Sequence, residues 1–171
     1  MNRSRAFSHV LLATILVLGG GCLYRVGSTL PYGLKTVFVP IFDNKADYPQ
    51  LEFEVTSATI DKFQFDNTLK PVKTQDKADL VVKGKITELR MYPIAFNPDR
   101  TTTAASYRLI IVSKVTVTNR RANTLILDNV ELRGITTFTV GSDLVLAKRL
   151  AIPDAAKDLG QRVVDAVTES W

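Results

Sequence analysis

The segment Tyr107-Arg108-Leu109-Ile110-Ile111-Val112-Ser113-Lys114-Val115-Thr116-Val117-Thr118 decides the fold class of this 171-residue chain. Tyr107, Leu109, Ile111, Val115 and Val117 alternate with Arg108, Ile110, Val112, Lys114, Thr116 and Thr118. A period of two puts successive side chains on opposite sides of a pleated ribbon. One apolar and one mostly polar side predict an antiparallel strand whose sheet is covered on one face only. Two further segments repeat the pattern. Leu80, Val82 and Ile86 alternate with Lys83, Lys85 and Thr87, and Val130, Leu132, Phe138 and Val140 alternate with Glu131, Arg133, Thr137 and Thr139. The short polar stretch Asn119 to Asn123 predicts a hairpin between the last two. Pro93 to Thr103, with two prolines and Asn97, reads as a loop.

Outward from these strands, Leu34 to Phe42 is rich in β-branched and aromatic residues and predicts a first strand. Turn chemistry follows at Asp43 to Asp47, and Pro49 suits the first turn of a helix. Gln50 to Phe65 has two readings. Leu51 to Val55 alternates like a strand, whereas Leu51, Val55, Ala58, Lys62 and Phe65 recur at helical spacing with Phe53 and Ile60 opposite. Length and Pro49 favour the helix. A second helix is predicted from Pro153 to the end, with Ala156, Leu159, Val163, Ala166 and Val167 in one stripe. Gly160 costs that helix ~1 kcal/mol relative to alanine, which points to close packing on the sheet. The order predicts an α+β two-layer sandwich: a mostly antiparallel four-stranded sheet with two helices packed on one face.

The N-terminus reads as an address. Arg3 and Arg5 precede an apolar run from Val10 to Leu18, then Gly19, Gly20, Gly21 and Cys22. A charged start, ~7–15 apolar residues and small residues form a secretory signal peptide. The run is short of the ~20 residues that span a bilayer. A cysteine directly after the small residues resembles the lipobox of bacterial lipoproteins, although Gly19 stands where leucine is usual. The alternatives are an ordinary signal peptide with a chance cysteine, or an uncleaved anchor. The expected organisation is a signal peptide at 1–21, a lipidated tether at 22–33 and one domain at 34–171.

Composition narrows the chemistry. The chain has 22 Lys+Arg, 17 Asp+Glu, one histidine and one cysteine. The histidine is His9, within the signal segment, and the cysteine is Cys22. A mature domain would hold neither imidazole nor free thiol, so His-dependent nucleophilic relays and His/Cys zinc sites cannot be built from it. Its small positive excess is too weak to argue for nucleic acid. Glu88 and Asp99 come nearest to catalytic carboxylates, each alone. No catalytic residue, metal ligand or cofactor is expected.

Cys22-Leu23-Tyr24-Arg25-Val26-Gly27, Leu30-Pro31 and Val37-Phe38-Val39-Pro40-Ile41-Phe42-Asp43-Asn44 resemble the LPS-assembly lipoprotein family, LptE. So do Pro49-Gln50-Leu51-Glu52, Ala78-Asp79-Leu80 ahead of Gly84, and Tyr107-Arg108-Leu109. Leu23, where family members often carry glycine, and a C-terminal helix less alanine-rich than usual depart from the family pattern. The resemblance implies a non-enzymatic outer-membrane lipoprotein facing the periplasm, anchored through acylated Cys22. Its partner would be the LptD-type β-barrel, which it plugs while lipopolysaccharide passes to the outer leaflet. The rival reading is a lipoprotein activator or adaptor for another envelope machine, such as a peptidoglycan synthase. A periplasmic hydrolase would need carboxylates paired only by the fold.

If the apolar strand sides lie under the helices, Lys83, Lys85, Arg108, Lys114 and Arg133 emerge on the open sheet face, where they could bind LPS phosphates. Alternatively they are a solvated basic face. Candidate partner contacts are Ile110 and Val112 on that face, Phe53 and Ile60 on the first helix, and Arg120 and Arg121 at the hairpin tip. The Pro93 to Thr103 segment is a further one.

Overall fold

The computed structural model describes residues 33–97 and 100–170. The signal-peptide and tether readings, with Cys22, lie outside them, as does Asp99. The elements are β1 (Thr36–Phe38), β2 (Asp43–Asn44), α1 (Leu51–Asp66), β3 (Lys70–Pro71), β4 (Leu80–Asn97), β5 (Arg100–Asn119), β6 (Thr124–Thr139) and α2 (Leu144–Glu169), with a 3-10 turn at Gln75–Lys77. The α+β class is as expected. The sheet is not four-stranded and antiparallel: six strands form a mixed sheet in the order β3-β1-β4-β5-β6, with β2 also on β4. Three short strands, β1, β2 and β3, pair in parallel. With only two or three residues each, they offer too few positions for a period-two signal. Pro40 also stops the predicted first strand at Phe38, because proline cannot donate to a ladder.

The antiparallel part is longer than predicted. Pro93 to Asn97 continues β4, and β5 already begins at Arg100. Pro93 is tolerated because a register irregularity follows it at Ala95 and β2 covers β4 only at Lys85 and Ile86. Proline costs little at a bulge on a free edge. A second irregularity between Ile86 and Glu88 resets the alternation. Leu89 and Met91 thereby join the covered face, while Glu88, Arg90 and Tyr92 turn to the open one.

Both helices pack on the same face. The core joins Leu80, Val82, Ile86, Leu109, Ile111, Val115 and Val117 to Leu51, Val55, Phe63, Leu159, Val163 and Val167. On α1, Thr59 and Phe63 are fully buried and Phe65 is 88% exposed, so past Ala58 the buried stripe runs through Thr59 and Phe63 rather than through Lys62 and Phe65. Ile60 packs partly against the core, whereas Phe53 stays exposed. Helix α2 starts at Leu144, nine residues before the predicted Pro153. Asp143 caps it, its Oδ1 accepting from Val145 N at 2.8 Å and Leu146 N at 3.1 Å. That supplies two of the partners a helix start lacks. Gly160 marks a close approach, but to α1 rather than to the sheet: a Cβ there would lie 2.9 Å from Ala58 O. Gly134 gives the corresponding room on the sheet, where a Cβ would meet Ala155 O at 2.2 Å.

Candidate functional site: the open sheet face

The face of β4, β5 and β6 opposite the helices carries side chains in rows set by register. One row runs Asp43, Lys85, Lys114, Glu131; the next Glu88, Val112, Arg133; then Arg90, Ile110, Ile135; then Tyr92, Arg108, Thr137. Lys83 lies beside Thr116 at the end nearer β1. The structure therefore brings Lys83, Lys85, Arg108, Lys114 and Arg133 onto one face, all exposed. It adds Arg90, which the alternation missed because the irregularity at Thr87 intervenes.

The face is not uniformly basic. Arg133 Nη2 donates to Glu131 at 2.7 Å, and Arg90 Nε pairs closely with Glu88. That bond from Arg90 holds the Glu88 carboxyl below its ordinary range and raises the guanidinium correspondingly. Both side chains are nearly half exposed, so the pair positions charge more than it stabilises the fold. Asp43 is occupied by Lys45 at 3.1 Å. Lys85 and Lys114 are left facing each other across the β4–β5 ladder, with no ion pair among the described residues. Like charges directly opposite in a sheet repel. An anion between them relieves that repulsion, and Lys83 stands two residues along the same face.

The predicted apolar contacts divide. Val112 is only 4% exposed, enclosed in a row between Glu88 and Arg133, so it is not a free contact in this structure. Ile110 is half-buried beside Ile135, which is 42% exposed. At the β5–β6 turn, Arg120 Nη1 donates to Gln75 O at 2.6 Å and Arg121 Nε meets Asp79 Oδ1 at 2.5 Å. Both guanidinium groups thus fasten the domain's own loops, although their side chains remain exposed.

The sequence reading did not single out the far end of the β4–β5 hairpin as structured. Beyond the last β6 pairing, Thr139 with Ser106, it continues as a two-stranded ribbon. Tyr92, Ile94 and Phe96 are exposed along it, between 45% and 54%. Val145, Leu146 and Leu150 are also exposed, on the first turns of α2. Contiguous apolar exposure of this kind marks interaction surfaces. The signal was present as Tyr92-Pro93-Ile94-Ala95-Phe96, but the proline disguised it.

Among the described residues no group of three or more His, Cys, Asp or Glu could hold a metal, and no helix is long and apolar enough to cross a membrane. Residues 34–167 match the lipopolysaccharide-assembly family LptE. The chain belongs to that family. No curated protein matches it in sequence. The hypothetical protein CT253 of Chlamydia trachomatis has a similar structure, with TM-score 0.52 and 12% identity over 79% of this chain and 96% of its own. Protein XCC0632 of Xanthomonas campestris gives 0.51 and 8% identity, covering 84% of this chain and 90% of its own. A minor lipoprotein of Acinetobacter baumannii gives 0.50 and 9% identity, covering 79% and 93%. At these identities the likeness is one of fold.

Proposed function

We propose that this LptE-family chain is a non-enzymatic outer-membrane lipoprotein that seats in an LptD-type β-barrel and assists passage of lipopolysaccharide to the outer leaflet. In this reading residues 1–21 are removed, Cys22 is acylated, residues 22–33 tether the domain, and 34–171 is the working domain facing the periplasm. More than one acyl chain is needed for stable anchoring, which triacylation of Cys22 supplies.

One observation carries the proposal beyond family membership: a three-stranded face that none of the described elements covers, with cations around a Lys85–Lys114 pair. Lipopolysaccharide offers phosphates to such a face, and charge-assisted contacts to phosphate are the strong polar ones. The apolar ribbon at Tyr92, Ile94 and Phe96, together with Phe53 on α1, gives a barrel lumen something to grip.

Affinity purification of the chain from outer membranes, with mass identification of what accompanies it, tests the partnership. Recovery of a large β-barrel is expected. Recovery of a murein synthase instead would transfer the protein to the adaptor class. Replacing Lys83, Lys85 and Arg133 together by serine should weaken lipopolysaccharide capture in a pull-down while leaving the far-ultraviolet circular dichroism unchanged. Undiminished capture sinks the phosphate role.

A further inference from the structure

The two ends of the sheet differ in charge. At the end where the described chain begins, three loops meet. Lys70 N donates to Lys35 O at 2.8 Å, Asp79 N to Thr36 O at 3.1 Å, and Arg120 N to Asp79 O at 2.8 Å. Arg120 also reaches Gln75 O, Thr36 Oγ1 donates to Lys77 O at 3.1 Å, and Arg121 lies against Gly33. These contacts gather Lys35, Lys70, Lys73, Lys77, Arg120 and Arg121 at one end, and all six are exposed. The acids in the same loops are Asp66, Asp76 and Asp79; Asp79 is buried, its carboxylate accepting from Lys35 N and Thr36 N and pairing with Arg121, whose charge it offsets. Lys35, Lys70, Lys73, Lys77 and Arg120 then stand against the exposed Asp66 and Asp76, so the outward-facing charge at this end is net positive. The opposite end, the β4–β5 ribbon, lies 17 residues along β4, on the order of 50 Å away, and exposes Tyr92, Ile94 and Phe96 instead.

Position gives this charge a use. Ten residues separate Cys22 from Gly33, a reach of at most about 40 Å. They include Arg25 and no acid. Such a short tether confines the basic end near whatever surface holds Cys22, and confinement raises the effective concentration of that surface greatly. An anionic leaflet attracts nearby lysines and arginines at about fivefold in affinity each, within a Debye length.

We propose that the basic end around Lys35, Lys70, Lys73, Lys77, Arg120 and Arg121 docks on the anionic headgroups of the leaflet that holds the acyl anchor. This rests on the reading of Cys22 as acylated.

The test uses the acylated chain reconstituted on vesicles of phosphatidylcholine alone, or of phosphatidylcholine with phosphatidylglycerol. Flotation reports anchoring, and a water-soluble amine-reactive ester with mass readout reports the exposure of each lysine. On the anionic vesicles, Lys35, Lys70, Lys73 and Lys77 should react severalfold more slowly, and Lys83, Lys85 and Lys114 at an unchanged rate. Salt near 1 M, where the Debye length shrinks to ~3 Å, should erase the difference. In a Lys70→Gln/Lys73→Gln/Lys77→Gln chain, Lys35 should react alike on both vesicles. A chain that floats but whose end lysines ignore phosphatidylglycerol overturns the docking alone, as does slowing confined to the sheet-face lysines. A chain that fails to float removes the anchor reading, and the docking with it.

Discussion

Asp79 shows how one residue can set the geometry of an end of the fold. Its carboxylate accepts from Lys35 N at 2.8 Å and Thr36 N at 3.0 Å, and meets Arg121. Burial pushes its carboxyl up, but the bonds from Lys35 and Thr36 and the Arg121 charge outweigh that and hold it below the usual range. A carboxyl lowered by folding adds stability above its unfolded value of about 3.9, and that stability is lost as pH falls through the lower folded value. Asp79→Asn should therefore cost about 1.5–3 kcal/mol at neutral pH. The gap from wild type should close as denaturation is followed below about pH 4. A gap independent of pH would show that the charge is immaterial. Gly84 acts through space instead. A Cβ there would sit 2.1 Å from the ring of buried Phe42. Gly84→Ala should destabilise by about 1–3 kcal/mol, and Phe42→Leu in the same chain should recover part of the loss, a coupling that a double-mutant cycle measures directly.

At the element scale, the length of α2 is the clearest difference between sequence and structure. Pro153 looked like a helix start because proline is favoured in a first turn. It is interior because Asp143 starts the helix independently; on the added turns Val145, Leu146 and Leu150 are exposed while Ala151 and Ile152 are buried, so apolar residues occupy both sides and no single stripe can be read. Pro153 has no N–H for the carbonyl four residues back, so those turns rely on the cap. Asp143→Ala should cost about 1 kcal/mol. It should speed amide exchange across residues 144–152 while leaving 154–167 near wild type; uniform acceleration would mean the helix melts as one unit. The strands were legible wherever one face was buried without interruption, as from Leu109 to Val117. They were illegible at Thr87 and Pro93, where irregularities shift the phase, and in β1 to β3, which are too short to carry any phase. The candidate site shared that fate. Its five basic residues followed from alternation, Arg90 was hidden by the shift, and the enclosure of Val112 and the fastening of Arg120 and Arg121 depend on cross-strand and loop neighbours that spacing does not encode.

For the whole molecule, the division of labour between faces leads to opposed demands on the same residues. The helix-covered face is continuous and apolar, so stability resides there. The open face keeps Lys85 opposite Lys114 although neither gains a carboxylate partner among the described residues, while Asp43 and Glu131 beside them are committed to Lys45 and Arg133. A face selected for folding alone would place an acid or a threonine there, since threonine suits a sheet and like charges opposed cost roughly 0.2–1 kcal/mol. Lys85→Thr should accordingly leave the unfolding free energy unchanged, or raise it by up to about 1 kcal/mol, in urea titrations. The same chain should capture lipopolysaccharide severalfold less well at moderate salt, with the deficit shrinking as salt rises and screens the remaining charges. Movement of the two measurements in opposite directions marks the lysine pair as kept for a ligand. A chain that loses stability and keeps its binding would make Lys85 an ordinary surface residue of the sheet.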